Sequence, residues 1–250
     1  MKSIELFAGI GGIALAAKWA GIETVALCER EPFCQKVLRK NWPNVPIFDD
    51  VRTLTIQQLK RKGITDIDLI SGGFPCQPYS VAGKKQGSKD ERALWNEMYR
   101  VIEEVRPKWV VCENVDNFVK MDDFEKANVD LENIGYQTQS FILPASAVGA
   151  PHRRNRFFMV GYSNSESKPQ THQTVSSIRS SRETREGITR KFRGKVARTY
   201  WEANQPPVCG VDDGIPGGLD KSRLIALGNA VVPQQIYPIF KSIMELEDDK

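Results

Sequence analysis

The chain has 250 residues, of which 40% are hydrophobic, enough for one large core with at most a small appendage. No apolar run approaches membrane-spanning length and no apolar leader follows Met1-Lys2-Ser3, so the sequence argues against a membrane protein and predicts a cytoplasmic one. Five cysteines, odd in number and never spaced as Cys-x-x-Cys, argue against a disulfide framework or a zinc site, and no metal is expected. The net charge of +4 is unevenly spread: residues 163–200 hold nine basic and three acidic side chains, while the remainder is slightly acidic. All of the excess positive charge thus sits in one segment, a pattern that suits contact with a polyanion.

Ser3-Ile4-Glu5-Leu6-Phe7 reads as a first strand, Ala8-Gly9-Ile10-Gly11-Gly12 as a turn, and residues 13–20 as an alanine-rich helix. Strand, glycine turn and helix open a nucleotide-binding unit, because glycines let backbone approach a ligand and the helix N-terminus presents unpaired amides. A second strand over 24–28 ends at Glu29, about 20 positions past the glycines, where a carboxylate can accept from both hydroxyls of a ribose. Residues 32–41 form a helix with Pro32 in its first turn. Ile47-Phe48-Asp49-Asp50-Val51 brings two carboxylates to another strand end, where one can accept from an exocyclic amine of an adenine. Residues 56–62 read as a helix that stops at Gly63.

Asp68-Leu69-Ile70-Ser71 reads as a buried strand, and Gly72-Gly73 is expected to turn the chain sharply into Phe74-Pro75-Cys76-Gln77-Pro78-Tyr79-Ser80. Pro75 and Pro78 stiffen the backbone around one thiol. A cysteine on such a turn is placed as a nucleophile rather than as packing, since ligand crevices of open α/β sheets lie beyond the carboxyl ends of strands. Residues 81–92, with two glycines and four basic side chains, read as a lid over an anionic substrate, and 93–105 as a helix. Trp109-Val110-Val111-Cys112 is a buried strand, so Cys112 reads as inert core. Glu113 at its end reaches the same sheet edge as Cys76, as a proton donor or hydrogen-bond partner. Residues 137–143 and 156–161 read as the last strands, and 234–246 as a closing helix packed beside the first strand.

Taken in order, Glu5 to Gly12, the strand end at Glu29, Gly72 to Ser80 and Glu113-Asn114-Val115 resemble the motifs of the DNA cytosine-5 methyltransferases. Gly149-Ala150-Pro151-His152-Arg153-Arg154-Asn155-Arg156 resembles that family's QxRxR motif, with His152 in place of the usual glutamine, and Leu227-Gly228-Asn229-Ala230-Val231-Val232-Pro233 resembles its last motif. The resemblance covers residues 3–162 and 224–245. It implies an α/β fold: a Rossmann-like S-adenosylmethionine-dependent methyltransferase sheet with one inserted antiparallel strand, helices on both faces and a small irregular insert. The implied organisation is a catalytic, S-adenosylmethionine-binding domain over 1–162 and 223–250, with a short target recognition insert over 163–222.

The implied reaction is methyl transfer from S-adenosyl-L-methionine to carbon 5 of a cytosine flipped out of double-stranded DNA, through a covalent cysteine adduct. The implied catalytic residues are Cys76, which adds to carbon 6, Glu113, which stabilises ring nitrogen 3, Arg156, which holds the carbonyl oxygen, and Arg154, which positions the thiol turn or a phosphate. The two arginines are read as sharing one face of a strand. For the cofactor, Phe7 packs on the adenine, Gly9, Ile10 and Gly11 lie along the methionine portion, Glu29 takes the ribose and Asp50 the adenine amine. Pro75, Leu94 and Asn229 line the same pocket. The implied partners are DNA and a cognate restriction nuclease acting separately from a monomeric enzyme of bacterial or phage origin. A nicotinamide- or flavin-dependent oxidoreductase would share the glycine turn but gives no reason for Pro75-Cys76-Gln77, and intact Cys76, Glu113, Arg154 and Arg156 argue against a non-catalytic DNA-binding relative. RNA cytosine stays open as a substrate, because related sequences use the same turn on RNA.

Overall fold

The computed structural model describes residues 1–75, 94–163 and 221–248. Cys76, the lid read at 81–92 and nearly all of the insert read at 163–222 lie outside the described residues. Five strands run parallel: β1 (Lys2–Leu6), β2 (Glu23–Cys28), β3 (Ile47–Phe48), β4 (Leu69–Gly73) and β5 (Trp109–Val115). The antiparallel hairpin of β6 (Tyr136–Pro144) and β7 (Asn155–Ser163) joins them, with β7 against β5. The seven strands make one sheet in the order β3-β2-β1-β4-β5-β7-β6.

Helices α1 (Gly12–Trp19), α2 (Pro32–Asn41), α3 (Ile56–Arg61), α4 (Trp95–Val105), α5 (Asp122–Asn133), α6 (Lys221–Asn229) and α7 (Pro233–Asp248) surround that sheet. Successive strand residues face opposite sides, so a parallel sheet covered on both faces needs near-continuous apolar strands. Ile4, Leu6, Ile70, Val110 and Cys112 face one way and pack with Leu59 of α3, Met98, Val101 and Ile102 of α4, and Leu131 of α5. Leu69, Val111 and Phe158 face the other way and meet α1 and α7. On α4 the buried residues Trp95, Met98, Val101 and Ile102 recur at helical spacing, which makes one stripe. On α1 the buried positions are mostly alanine, and small side chains let this helix lie close to the sheet.

Two expectations are corrected. Gly72 and Gly73 do not turn the chain; they are the last residues of β4, paired with Cys112 and Glu113. The third strand does stop at Phe48, so Asp49 and Asp50 stand at its end as read from the sequence. The closing helix does not lie beside β1. It packs through Ile236, Phe240 and Ile243 on α1 and on the face made by β4, β5 and β7, since Glu5 on that side of β1 already meets the start of α1. No described helix is long and apolar enough to cross a membrane.

Candidate active site

At the carboxyl ends of β1 and β2 the backbone takes up three unusual conformations. Phe7 has φ 55°, Gly9 φ 54° and Gly11 φ 85°. For a phenylalanine that region costs on the order of 1–3 kcal/mol and is found where the surroundings impose it, often at functional sites. A Cβ on Gly9 would meet nothing within 4 Å, so this side of the turn is open, whereas one on Gly11 would run into the Trp42 ring. The Glu29 carboxylate fixes the open side: Gly9 N donates to Oε2 at 2.7 Å and Glu31 N to Oε1 at 2.7 Å. The buried amide of Gln35 holds this corner by donating to Glu29 O at 2.7 Å and Asp49 Oδ1 at 3.0 Å. Asp50 accepts from the Arg52 amide at 3.0 Å and its Nε at 3.2 Å. Burial raises the Asp50 carboxyl, but these two donors together with the charges of Arg52 and Arg30 outweigh it and hold the group below the usual range. Gln35 and Trp42 were missed in the sequence; for Gln35 the only signal is its place on the inward face of α2.

Beneath the turn lies a buried carboxyl. Glu5 is 2% exposed, and burial pushes it up to about 8, against the opposing effect of the Ala14 and Ile13 amides at the start of α1. Its Oε2 has no hydrogen-bond partner among the described residues. A carboxyl whose folded value exceeds its unfolded value stabilises the fold below the unfolded value and loses that contribution as pH rises through the folded one. Glu5→Gln keeps an acceptor for the amides and cannot ionise. Its thermal midpoint, measured against the unmutated protein, is therefore expected to gain between pH 5 and about pH 8 and then level off; an equal difference at both ends would contradict the buried acid.

Next to this turn β4 carries the chain toward Cys76, and β5 presents Glu113. Gly73 and Glu113 are register partners. A Cβ on Gly73 would sit 2.6 Å from Glu113 Oε2, and one on Gly72 would sit 2.7 Å from the Leu6 carbonyl oxygen. Neither glycine has a positive φ, so space and not torsion demands them. The two alanine substitutions should therefore diverge. Gly72→Ala presses on backbone and is expected to cost about 1–3 kcal/mol, several degrees of midpoint. Gly73→Ala presses on the end of a side chain and displaces the carboxyl, lowering turnover by about 100-fold for a 1 Å shift with a smaller change in midpoint. Melting curves and turnover on the two variants check this.

Glu113 is 7% exposed, and Arg156 Nε donates to its Oε1 at 2.8 Å. Burial pushes the carboxyl up to about 7, against the opposing charges of Arg156 and Arg154. Since Oε1 accepts from Arg156, the proton of the neutral acid belongs on Oε2, the atom beside Gly73. Phe74 anchors the chain leading to Pro75: it is buried, packs edge-on to Phe118 at 5.2 Å, and its carbonyl accepts from Asn114 Nδ2 at 3.4 Å. Leu94 is partly buried against the same core.

The two arginines do not share a strand face. Arg154 precedes β7 and has φ 29°, which turns its side chain away from the line of Arg156. Its Nη2 donates to Gly228 O at 2.6 Å and Ala230 O at 2.7 Å, on either side of Asn229. A cleft of about 600 Å³ opens beside it, between Ile10, Gly12, Trp42, His152 and Val231. Among the described residues no cluster of three or more His, Cys, Asp or Glu side chains could hold a metal ion.

This sheet order, with its reversed strand and glycine turn, is the fold of S-adenosylmethionine-dependent methyltransferases. The profile of the C-5 cytosine-specific DNA methylases matches residues 1–204, and the chain belongs to that family, whose members use S-adenosylmethionine. It is 34% identical over 168 residues to the type II methyltransferase M.HhaI of Haemophilus parahaemolyticus, covering 66% of this chain and 50% of that protein. It is 31% identical over 245 residues to M.CviJI of Paramecium bursaria Chlorella virus IL3A, covering 97% of this chain and 59% of the other. Among solved structures, a DNMT2 mutant from Spodoptera frugiperda is similar at a TM-score of 0.56 and 26% identity, over 69% of this chain and 53% of that one. The chain thus spans about half the length of these relatives.

Proposed function

We propose that this chain transfers a methyl group from S-adenosylmethionine to carbon 5 of a cytosine flipped out of double-stranded DNA. The observation that carries the reading is Glu113: a buried carboxyl, half-protonated near neutral pH, one strand away from the segment that runs through Pro75 to Cys76. The turn at Gly9 suits the cofactor, since it is open on one side and backed by the oriented Glu29 carboxylate. Glu29 would accept from the ribose, Phe7 would cover the adenine, and Asp50 would take the adenine amine. Gly9, Ile10 and Gly11 would follow the methionine portion, with Pro75, Leu94 and Asn229 closing the pocket. When bound, S-adenosylmethionine supplies a methyl group on a positively charged sulfur.

Carbon 5 of cytosine is too poor a nucleophile to take that methyl unaided. The Cys76 thiolate adds to carbon 6, and the electron pair displaced onto ring nitrogen 3 takes the proton of Glu113. Arg156 steadies Glu113 and the cytosine carbonyl oxygen, while Arg154 holds the turn that carries Asn229. Carbon 5 then acts as an enamine carbon and accepts the methyl. Loss of its proton restores the ring double bond and expels Cys76, and nitrogen 3 returns its proton to Glu113. The names of its type II methyltransferase relatives support a cognate nuclease acting separately.

Base-resolution mapping of 5-methylcytosine in DNA and RNA from cells expressing this chain, in a host without cytosine methylation, tests the reading. Methylation at a fixed DNA context is expected. Marks confined to RNA would move the substrate, and none in either polymer would overturn the activity.

A further inference from the structure

Four hydrogen bonds join the β6–β7 hairpin to the stretch from the end of α6 to the first turn of α7, and they run in both directions. Arg154 donates to the carbonyls of Gly228 and Ala230. In return, Gln235 in the first turn of α7 donates through Nε2 to Leu143 O at 2.8 Å and to Arg154 O at 2.9 Å. Arg154 is thereby held at its guanidinium and at its own carbonyl. Two residues further on, Arg156 contacts Glu113. On the other side Val231 O lies so close to Gly12 that a Cβ there would be 2.7 Å away. One connected path leads from the first residue of α1, through residues 228–231 and 154–156, to the buried carboxyl.

Gln235 is fully buried, next to the apolar stripe of Ile236, Phe240 and Ile243. Burying an amide is unfavourable unless it is hydrogen-bonded. Gln235 makes two bonds, both to backbone at the closed end of the β6–β7 hairpin, and its Oε1 has no partner among the described residues. An apolar side chain would serve the stripe as well, so what Gln235 holds explains its presence better than what it fills. We propose that Gln235 is a positioning residue of the methyl-transfer site. It fixes the backbone at Arg154, so that Arg156 meets Glu113 while the Gly228–Ala230 turn stays against the glycine turn. The inference rests on the reading that Glu113 faces the cytosine and Asn229 the cofactor.

Gln235→Met keeps the length of the side chain and removes both donors. Steady-state methylation of DNA by the whole chain would be followed from pH 6 to pH 9 for this variant, the unmutated protein and Glu113→Gln, with melting curves alongside. The expected result is a kcat lowered about tenfold, as for a small misplacement of reacting groups, and a cofactor KM raised by a similar factor. The alkaline fall in rate should also move up by about half a pH unit, because Arg156 opposes proton binding at Glu113 less closely. Arg156 and Arg154 are the charged groups that act on that carboxyl. A lower melting point with KM and the alkaline fall unchanged would mean a purely structural role and overturn the proposal. If Gln235→Met does not fold, Gln235→His, which retains one donor, is read in the same way, with smaller changes of the same sign expected. If the alkaline fall survives in Glu113→Gln, the assignment of Glu113 is wrong, and the cofactor KM alone then decides for or against Gln235.

Discussion

Glu113→Gln is expected to lower kcat by about 10²–10⁴-fold, the range over which a positioned proton donor acts. The amide can still donate a hydrogen bond to ring nitrogen 3 but cannot hand over a proton as the thiolate adds. The pH dependence separates this loss from general damage. In the unmutated protein burial raises the carboxyl to about 7, so the donating form is complete well below that value. Each unit of pH above it removes the acid by about tenfold. The rate should therefore fall on the alkaline side of neutrality, and in Glu113→Gln that fall should vanish while cofactor affinity stays within a few-fold. Profiles of kcat against pH for the two proteins check this, and a retained alkaline fall would assign it to another group.

Cys76→Ser is expected to reduce turnover by at least about 10⁴-fold, as loss of an activated nucleophile does, because a serine hydroxyl is almost entirely un-ionised where a thiol is partly thiolate. The more specific measurement is the adduct itself. DNA carrying 5-fluorocytosine can accept the methyl, but fluorine cannot leave carbon 5 as the proton does, so the carbon 6–sulfur bond persists. A denaturing gel should show a covalent protein–DNA species with the unmutated chain and none with Cys76→Ser. An adduct of equal yield in both would place the nucleophile elsewhere.

Much of the parallel sheet was legible because its strands are short apolar runs bounded by glycine and acidic residues, as at Leu6 and Cys28. Helix α2 shows the same legibility, with Pro32 opening it and polar residues alternating with Cys34 and Leu38. What the sequence hid depended on contacts between distant segments. Gly72 and Gly73 look like a turn because glycine usually marks one, yet their role is to make room for the Leu6 carbonyl and the Glu113 carboxylate. Spacing alone put Arg154 and Arg156 on one face, but the left-handed backbone at Arg154 sends its side chain to residues about 75 positions away. Nothing in the sequence names the backbone partners that Gln35 and Gln235 hold. Helix α5 passed unread, although the acidic cluster in its first turn complements the helix dipole.

The docking of α7 on α1 also bears on how this protein is made. Ile236, Phe240 and Ile243 cover Ile13, Ala16 and Ala17, so the groove on α1 stays uncovered on the ribosome until residues beyond 240 have emerged. Nascent chains should thus collapse around the opposite layer first and gain this second layer only after residues 236–243 have been made. The entropy of closing so long a loop grows only logarithmically, by about 0.6 kcal/mol per doubling of its length. Evolution can therefore lengthen or shorten the stretch between β7 and α6 with little penalty to folding, which makes it the natural place for divergence among relatives that keep the same scaffold.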